Sequence, residues 1–148
     1  MAPSRDMNEL DSSHHIFRHV GATKIHDDFI DPEAFALRTD DETGEVIEPG
    51  LSVNWVECFR QSSPQAAIAP LRRILEKKGR TVGGKSGFAL LNVGAAKAAA
   101  AKYVAVSIAT DNDPQDPSHA TVTGYRDYNV AVSEELAKIV IATYPAKA

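Results

Sequence analysis

The chain has 148 residues, 43% of them apolar and 24% charged, the profile of one globular domain rather than a disordered segment. A net charge of −4 speaks against nucleic acid as a partner, because that class asks for a basic surface. The lone cysteine, Cys58, excludes an internal disulfide and a cysteine-based zinc site, and no apolar run has the length of a membrane span or the form of a secretion signal, which together lead us to expect a cytoplasmic protein with no membrane contact.

Residues 1–13 are polar and offer almost nothing to bury, so they read as a disordered or loosely attached tail before a single domain spanning 14–148. Ile16 to Val20 has the composition of a first strand and stops at Gly21. Asp31-Pro32-Glu33 has the form of a cap, a first-turn proline and a first-turn acid, which suits a short helix through Phe35. Phe35 and Leu37 also alternate with small or polar neighbours, so a strand fits as well. Pro49-Gly50 is a break, and Leu51, Val53 and Trp55 then alternate with Ser52 and Asn54 as a half-buried strand does.

A helix is expected from Pro70, with Leu71, Ile74 and Leu75 inward, Lys77 and Lys78 in its last turn and Gly79 as its stop. Residues 79–87 form a glycine-rich basic loop, Phe88 to Val93 a buried strand, and Ala95 to Lys102 a short helix. Tyr103 to Ala109 and His119 to Tyr125 read as neighbouring strands, being rich in β-branched and aromatic residues. From Ser133 onward, Leu136, Ile139, Val140, Thr143 and Tyr144 recur at helical spacing. The expected fold is therefore α+β: a mostly antiparallel or mixed sheet of about five strands, with helices packed on it and the C-terminal one covering the core.

Several stretches carry chemistry. Gly79 to Ser86 satisfies the phosphate-loop pattern G-x-x-x-x-G-K-[ST], but that loop must follow a strand and open a helix. Here it follows an amphipathic helix and leads into a strand-like run, so it is expected to be a connector. Arg72, Arg73, Lys77, Lys78, Arg80 and Lys85 make a basic run that is a solvated helix face or an anion-binding patch. It is set against an acidic stretch holding Asp27, Asp28, Asp31, Asp40, Asp41, Glu42, Glu45 and Glu48.

His119-Ala120-Thr121-Val122 resembles one motif of the two-histidine phosphoesterases, in which the histidines supply acid and base. That chemistry needs the motif twice, and His14, His15, His19 and His26 all lack a Ser or Thr two positions on. Arg18 and His19 in a first strand, followed by Ser52 and Asn54 in a second, resemble the layout of NAD-dependent ADP-ribosyltransferases. That resemblance implies a cleft in which Arg18 and Ser52 grip NAD. Its third element, a late glutamate, is missing, and His119 and Thr121 stand there instead. The four N-terminal histidines with Asp27 or Asp28 could be imagined around a metal, and Asp111 to Asp116 around calcium. The first set borders the tail, and prolines spoil the second, so neither a metal nor a cofactor is expected.

With no complete catalytic set, the favoured class is a non-catalytic interaction or regulatory module that binds a protein partner or a second copy of itself. The consecutive Ile139, Val140 and Ile141 add to this, as more apolar surface than one helix face needs. The alternative is a small nucleotide- or NAD-dependent enzyme with Arg18, Ser52 and His119 as catalytic candidates and with Arg18, His19, Asn54 and His119 lining the ligand.

Overall fold

A computed structural model describes residues 8–27 and 29–147. Within these residues six strands form one antiparallel sheet: β1 His15–Val20, β2 Leu51–Trp55, β3 Gly87–Asn92, β4 Ser107–Thr110, β5 His119–Thr123 and β6 Ala142–Pro145, in the spatial order β4-β5-β2-β1-β3-β6. Three α-helices flank it: α1 Ile68–Lys77, α2 Val93–Ala100 and α3 Asn129–Lys138. The class is α+β as expected, with six strands rather than about five.

The alternation of side chains along each strand sorts residues to two faces. Ile16 and Val20 of β1, Leu51 and Val53 of β2 and Ala89 and Leu91 of β3 join the larger core, under Val93, Ala96 and Ala100 of α2 and Val132 and Leu136 of α3. Phe17 of β1 and Phe88 and Leu90 of β3 turn the other way, to meet Ile68, Leu71 and Leu75 of α1. The sheet is thus the middle layer of three. Tyr125 is fully buried in the larger core, and its hydroxyl donates to Phe35 O at 2.7 Å, which spares the ring's polar end from going unpaired.

Local sequence explains most boundaries. Ser63 Oγ accepts from Ala66 N at 3.2 Å just before α1, and Pro70 sits in that helix's first turn, where its missing N–H costs nothing. Gly79 ends α1 at φ +86°, and Arg80 N donates back to Leu75 O. Asn92 caps α2 by accepting from Ala95 N at 2.9 Å. At Pro32–Phe35 the two expectations resolve to a 3-10 helix, with Asp31 accepting from Glu33 N. Gly50, just before β2, is crossed so closely by β5 that a Cβ there would lie 2.5 Å from Thr121 Cγ2 and 2.6 Å from Val122 O.

Three expectations change. The helix predicted from Ser133 through Tyr144 begins earlier and ends at Lys138, and Ala142–Pro145 instead pairs with β3 as an edge strand. Ile139, Val140 and Ile141 therefore do not share a helix, and Ile141 is exposed. The strand predicted from Tyr103 starts only at Ser107, because Ala101–Tyr103 is a turn and 104–106 is irregular. Of the loose tail expected over 1–13, residues 1–7 lie outside the described residues. Residues 8–13 hold to the body: Leu10 is buried, Leu10 N donates to Ile108 O, and Glu9 bridges Ala109 on the outer margin of β4.

Candidate functional site

The residues singled out from the sequence fall at two ends of β2. At its C-terminal end, Asn54 Nδ2 donates to Asp116 Oδ2 (3.1 Å) and to Ser118 Oγ (2.9 Å). Ser118 donates its hydroxyl (2.6 Å) and its N–H (3.1 Å) to Asp116 Oδ1. Asp116 is fully buried, and Lys78 from the end of α1 reaches Asp113 at 3.3 Å and Asp116 at 4.0 Å. Beside this cluster His119 Nδ1 contacts Asp111 Oδ2 at 2.5 Å, and Thr121 donates to the same oxygen at 2.7 Å. Asn54 and His119 are direct cross-strand neighbours. The arrangement ties α1 and the 111–118 loop to the sheet, and each of its polar groups spends its capacity on another.

At the opposite end of β2 the pattern is different. Arg18 lies on the larger-core side of β1, where its Nε donates to Ala34 O at 2.8 Å and its Nη1 to Ser52 O at 3.0 Å. Burial makes this guanidinium less basic than usual; Tyr125 and Glu48 work against that, and Arg80 adds to it. Among the described residues no carboxylate lies within 4.0 Å of it. Glu48, whose charge reaches it, is held by Arg38 through a 2.6 Å bond from Arg38 N and a 3.5 Å contact to Nε. Arg18 opens into a cleft of about 970 Å³ whose walls include Leu37, Asn129 and Ser133. The Asn129 side chain fixes one wall by bonding both Leu37 N and Leu37 O, at 2.8 and 3.0 Å. Ile47 and Val130 on the rim are 57% and 70% exposed, unusual for side chains of their kind.

The sequence candidates therefore do not converge. Arg18 sits with the larger core, whereas Ser52, Asn54 and His119 alternate to the other face of the sheet. Only the backbone oxygen of Ser52 meets Arg18. His19 alternates to the same face as Ser52, Asn54 and His119, packs on Phe88 and contacts Ser86 Oγ through Nε2 at 2.9 Å, while that hydroxyl is 2.7 Å from Gly83 O. Since the Ser86 proton goes to Gly83 O, His19 must donate, and Ser86 is not primed as a nucleophile. Burial, then Arg80 and Arg18, push the His19 imidazole below its ordinary value. The Cys58 thiol is pushed up by burial and by Asp116, which disfavours the thiolate.

The phosphate-pattern loop follows α1 and runs into β3, the reverse of the strand-to-helix context such loops need. The basic run is put to separate uses. Arg72 donates to Ala146 O, Lys78 pairs with the 113–116 acids, and Arg80 lies close enough to act on His19 and Arg18. Arg73 and Lys77 stay in solvent. Among the described residues no group of three or more His, Cys, Asp or Glu could hold a metal ion. His14 packs on Trp55 and accepts from its indole N–H, His15 pairs with Glu57 at 2.6 Å, and Asp28 lies outside the described residues. No helix of the described residues is long and apolar enough to cross a membrane. Asp116 and Ser118 were missed from the sequence. Their signal was the Asp-Pro-Ser turn placed opposite Asn54, a polar residue at a strand position.

Comparison of the chain with protein-family models, with curated proteins and with solved structures finds no match in any of the three.

Proposed function

We propose that the protein is a non-catalytic binding module that engages an acidic segment of a protein partner, with the partner's carboxylate seated on Arg18. What carries this reading is the guanidinium itself: partly buried, fixed by two carbonyls, with no carboxylate within 4.0 Å of it among the described residues, and facing an open cleft whose other walls include Glu33, Asp41 and Glu48. A buried charge is costly unless something pairs with it, and an arginine suits a planar carboxylate well. The cleft's exposed apolar rim at Ile47 and Val130 suits the neighbouring side chains of such a segment. Against a catalytic role stand the occupied hydroxyl of Ser86, the raised thiol of Cys58 and the separation of Arg18 from the His119 side chain.

The test is binding of acidic peptides by the purified protein, measured by titration calorimetry beside Arg18→Gln. Wild type should bind, and the variant should lose about tenfold or more, the scale of one charge-assisted bidentate pair. NAD hydrolysis or self-modification by the wild type that vanishes in Arg18→Gln would replace this reading with the enzymatic one. Light scattering addresses self-association as the alternative use of the rim: a concentration-dependent dimer abolished by Val130→Asp would make the partner a second copy.

A further inference from the structure

A second groove, of about 730 Å³, lies apart from the Arg18 cleft, lined by residues 25–27 and 29–30, the turn at Gly84-Lys85, the end of α3 and β6. Its volume is in the range that encloses a small ligand. Phe29 lines it and is 58% exposed, although it is a large apolar ring. The ring stacks on His26, with centroids 4.5 Å apart and planes 28° from parallel, so it is held flat rather than left to swing. Lys85 lines the groove too, exposed and without a carboxylate within 4.0 Å among the described residues, as does Lys138. The turn carrying Lys85 is closed by Ser86 N donating to Gly83 O. Within the described residues, the N–H groups of Gly84 and Lys85 meet no acceptor.

We propose that this groove binds a free nucleoside phosphate, with the base stacked on Phe29 and the phosphates on Lys85 and the turn's N–H groups. Every base offers a π-face to an exposed ring, and a turn of unpaired N–H groups beside a lysine suits a phosphate. The acids fix the orientation. Asp27 lines the groove two residues before Phe29, and Asp31 is 3.9 Å from His26, which stacks on that ring, so an anion is disfavoured beside the ring and favoured at Lys85. Lys138 is shared with Glu135 at 3.2 Å, which leaves Lys85 as the main cation. A small ligand is chosen over a polynucleotide because the chain carries a net charge of −4. Nothing here uses the loop as an NTPase would, since the Ser86 hydroxyl is already bonded within the fold.

The experiment titrates the full chain with ADP, adenosine and pyrophosphate by calorimetry, with the amide signals of Gly84 and Lys85 followed by NMR. ADP should bind more tightly than either part, and both amides should shift. Phe29→Ala and Lys85→Ala, both at exposed positions that leave the core untouched, should each weaken ADP about tenfold. Arg18→Gln, in the other cleft, should leave ADP binding unchanged, so this proposal and the peptide reading fail separately. Absence of ADP binding at millimolar concentration, or equal affinity in the Phe29 and Lys85 variants, overturns it. Pyrophosphate binding as tightly as ADP overturns the stacking half and reduces the groove to an anion site.

Discussion

The two ends of β2 hold similar polar side chains and use them in opposite ways. At the Asn54 end the groups satisfy one another: an amide, a hydroxyl, an ammonium and a carboxylate close a network around the buried Asp116. At the Arg18 end the guanidinium has only carbonyl partners among the described residues and faces an open cleft. A residue type alone does not separate structural from recognition roles. What separates them is whether the donors and acceptors balance before a partner arrives.

If that contrast is right, substitutions at the first end should cost stability and those at the second should cost binding. The largest effect is expected from Asp116→Ala. It strands Asn54 and Ser118 and leaves Lys78 with one carboxylate fewer, for a loss of about 3 kcal/mol in chemical denaturation. Ser118→Ala should cost less, about 1.5 kcal/mol, because Asn54 keeps Asp116 as an acceptor. Tyr125→Phe removes one hydrogen bond inside the core and should cost about 1 kcal/mol without touching either end. Arg18→Gln should cost no more than about 1 kcal/mol and yet weaken peptide binding about tenfold or more. A loss there as large as for Asp116→Ala would erase the distinction.

The smallest effect is one of pH. His19 is held below its ordinary value of 6.5 by burial and by Arg80 and Arg18, so the folded chain takes up its proton less readily than the unfolded one. Its contribution to stability is full at neutral pH. It is lost as pH falls from about 6.5 through the lower value the imidazole has in the fold. Denaturation at pH 7.5 and pH 5 should show a smaller gap between the two in His19→Gln than in wild type.

Strand β2 and the helix at Pro70 could be read from the sequence because periodicity, proline and glycine agree there, and β1 and β3 from their apolar composition. The C-terminus misled because Ile139, Val140, Thr143 and Tyr144 fit a helical stripe. The same run is also rich in β-branched residues, and pairing with Phe88 and Leu90 decided for strand. Tyr103 to Val106 looked like strand by composition, yet the chain must first turn out of α2. Arg18 was visible as a candidate, but grouping it with Ser52 and His119 ignored the alternation that sends them to opposite faces. Asp116 was hidden because its partners, Asn54 and Lys78, lie 62 and 38 residues away in the chain.

The segment at Glu9 and Leu10 has a further consequence. It closes the outer side of β4, with the Glu9 carboxylate accepting from the Ser107 hydroxyl and Lys97 lying 3.6 Å from it, while the far side of the sheet ends in Pro145, which has no N–H to offer a neighbouring chain. Trimming the polar leader at His14, as its composition invites, would bare a ready template for strand addition and expose the apolar patch under Leu10. A shortened version should then clump more readily than the 148-residue chain as it is concentrated.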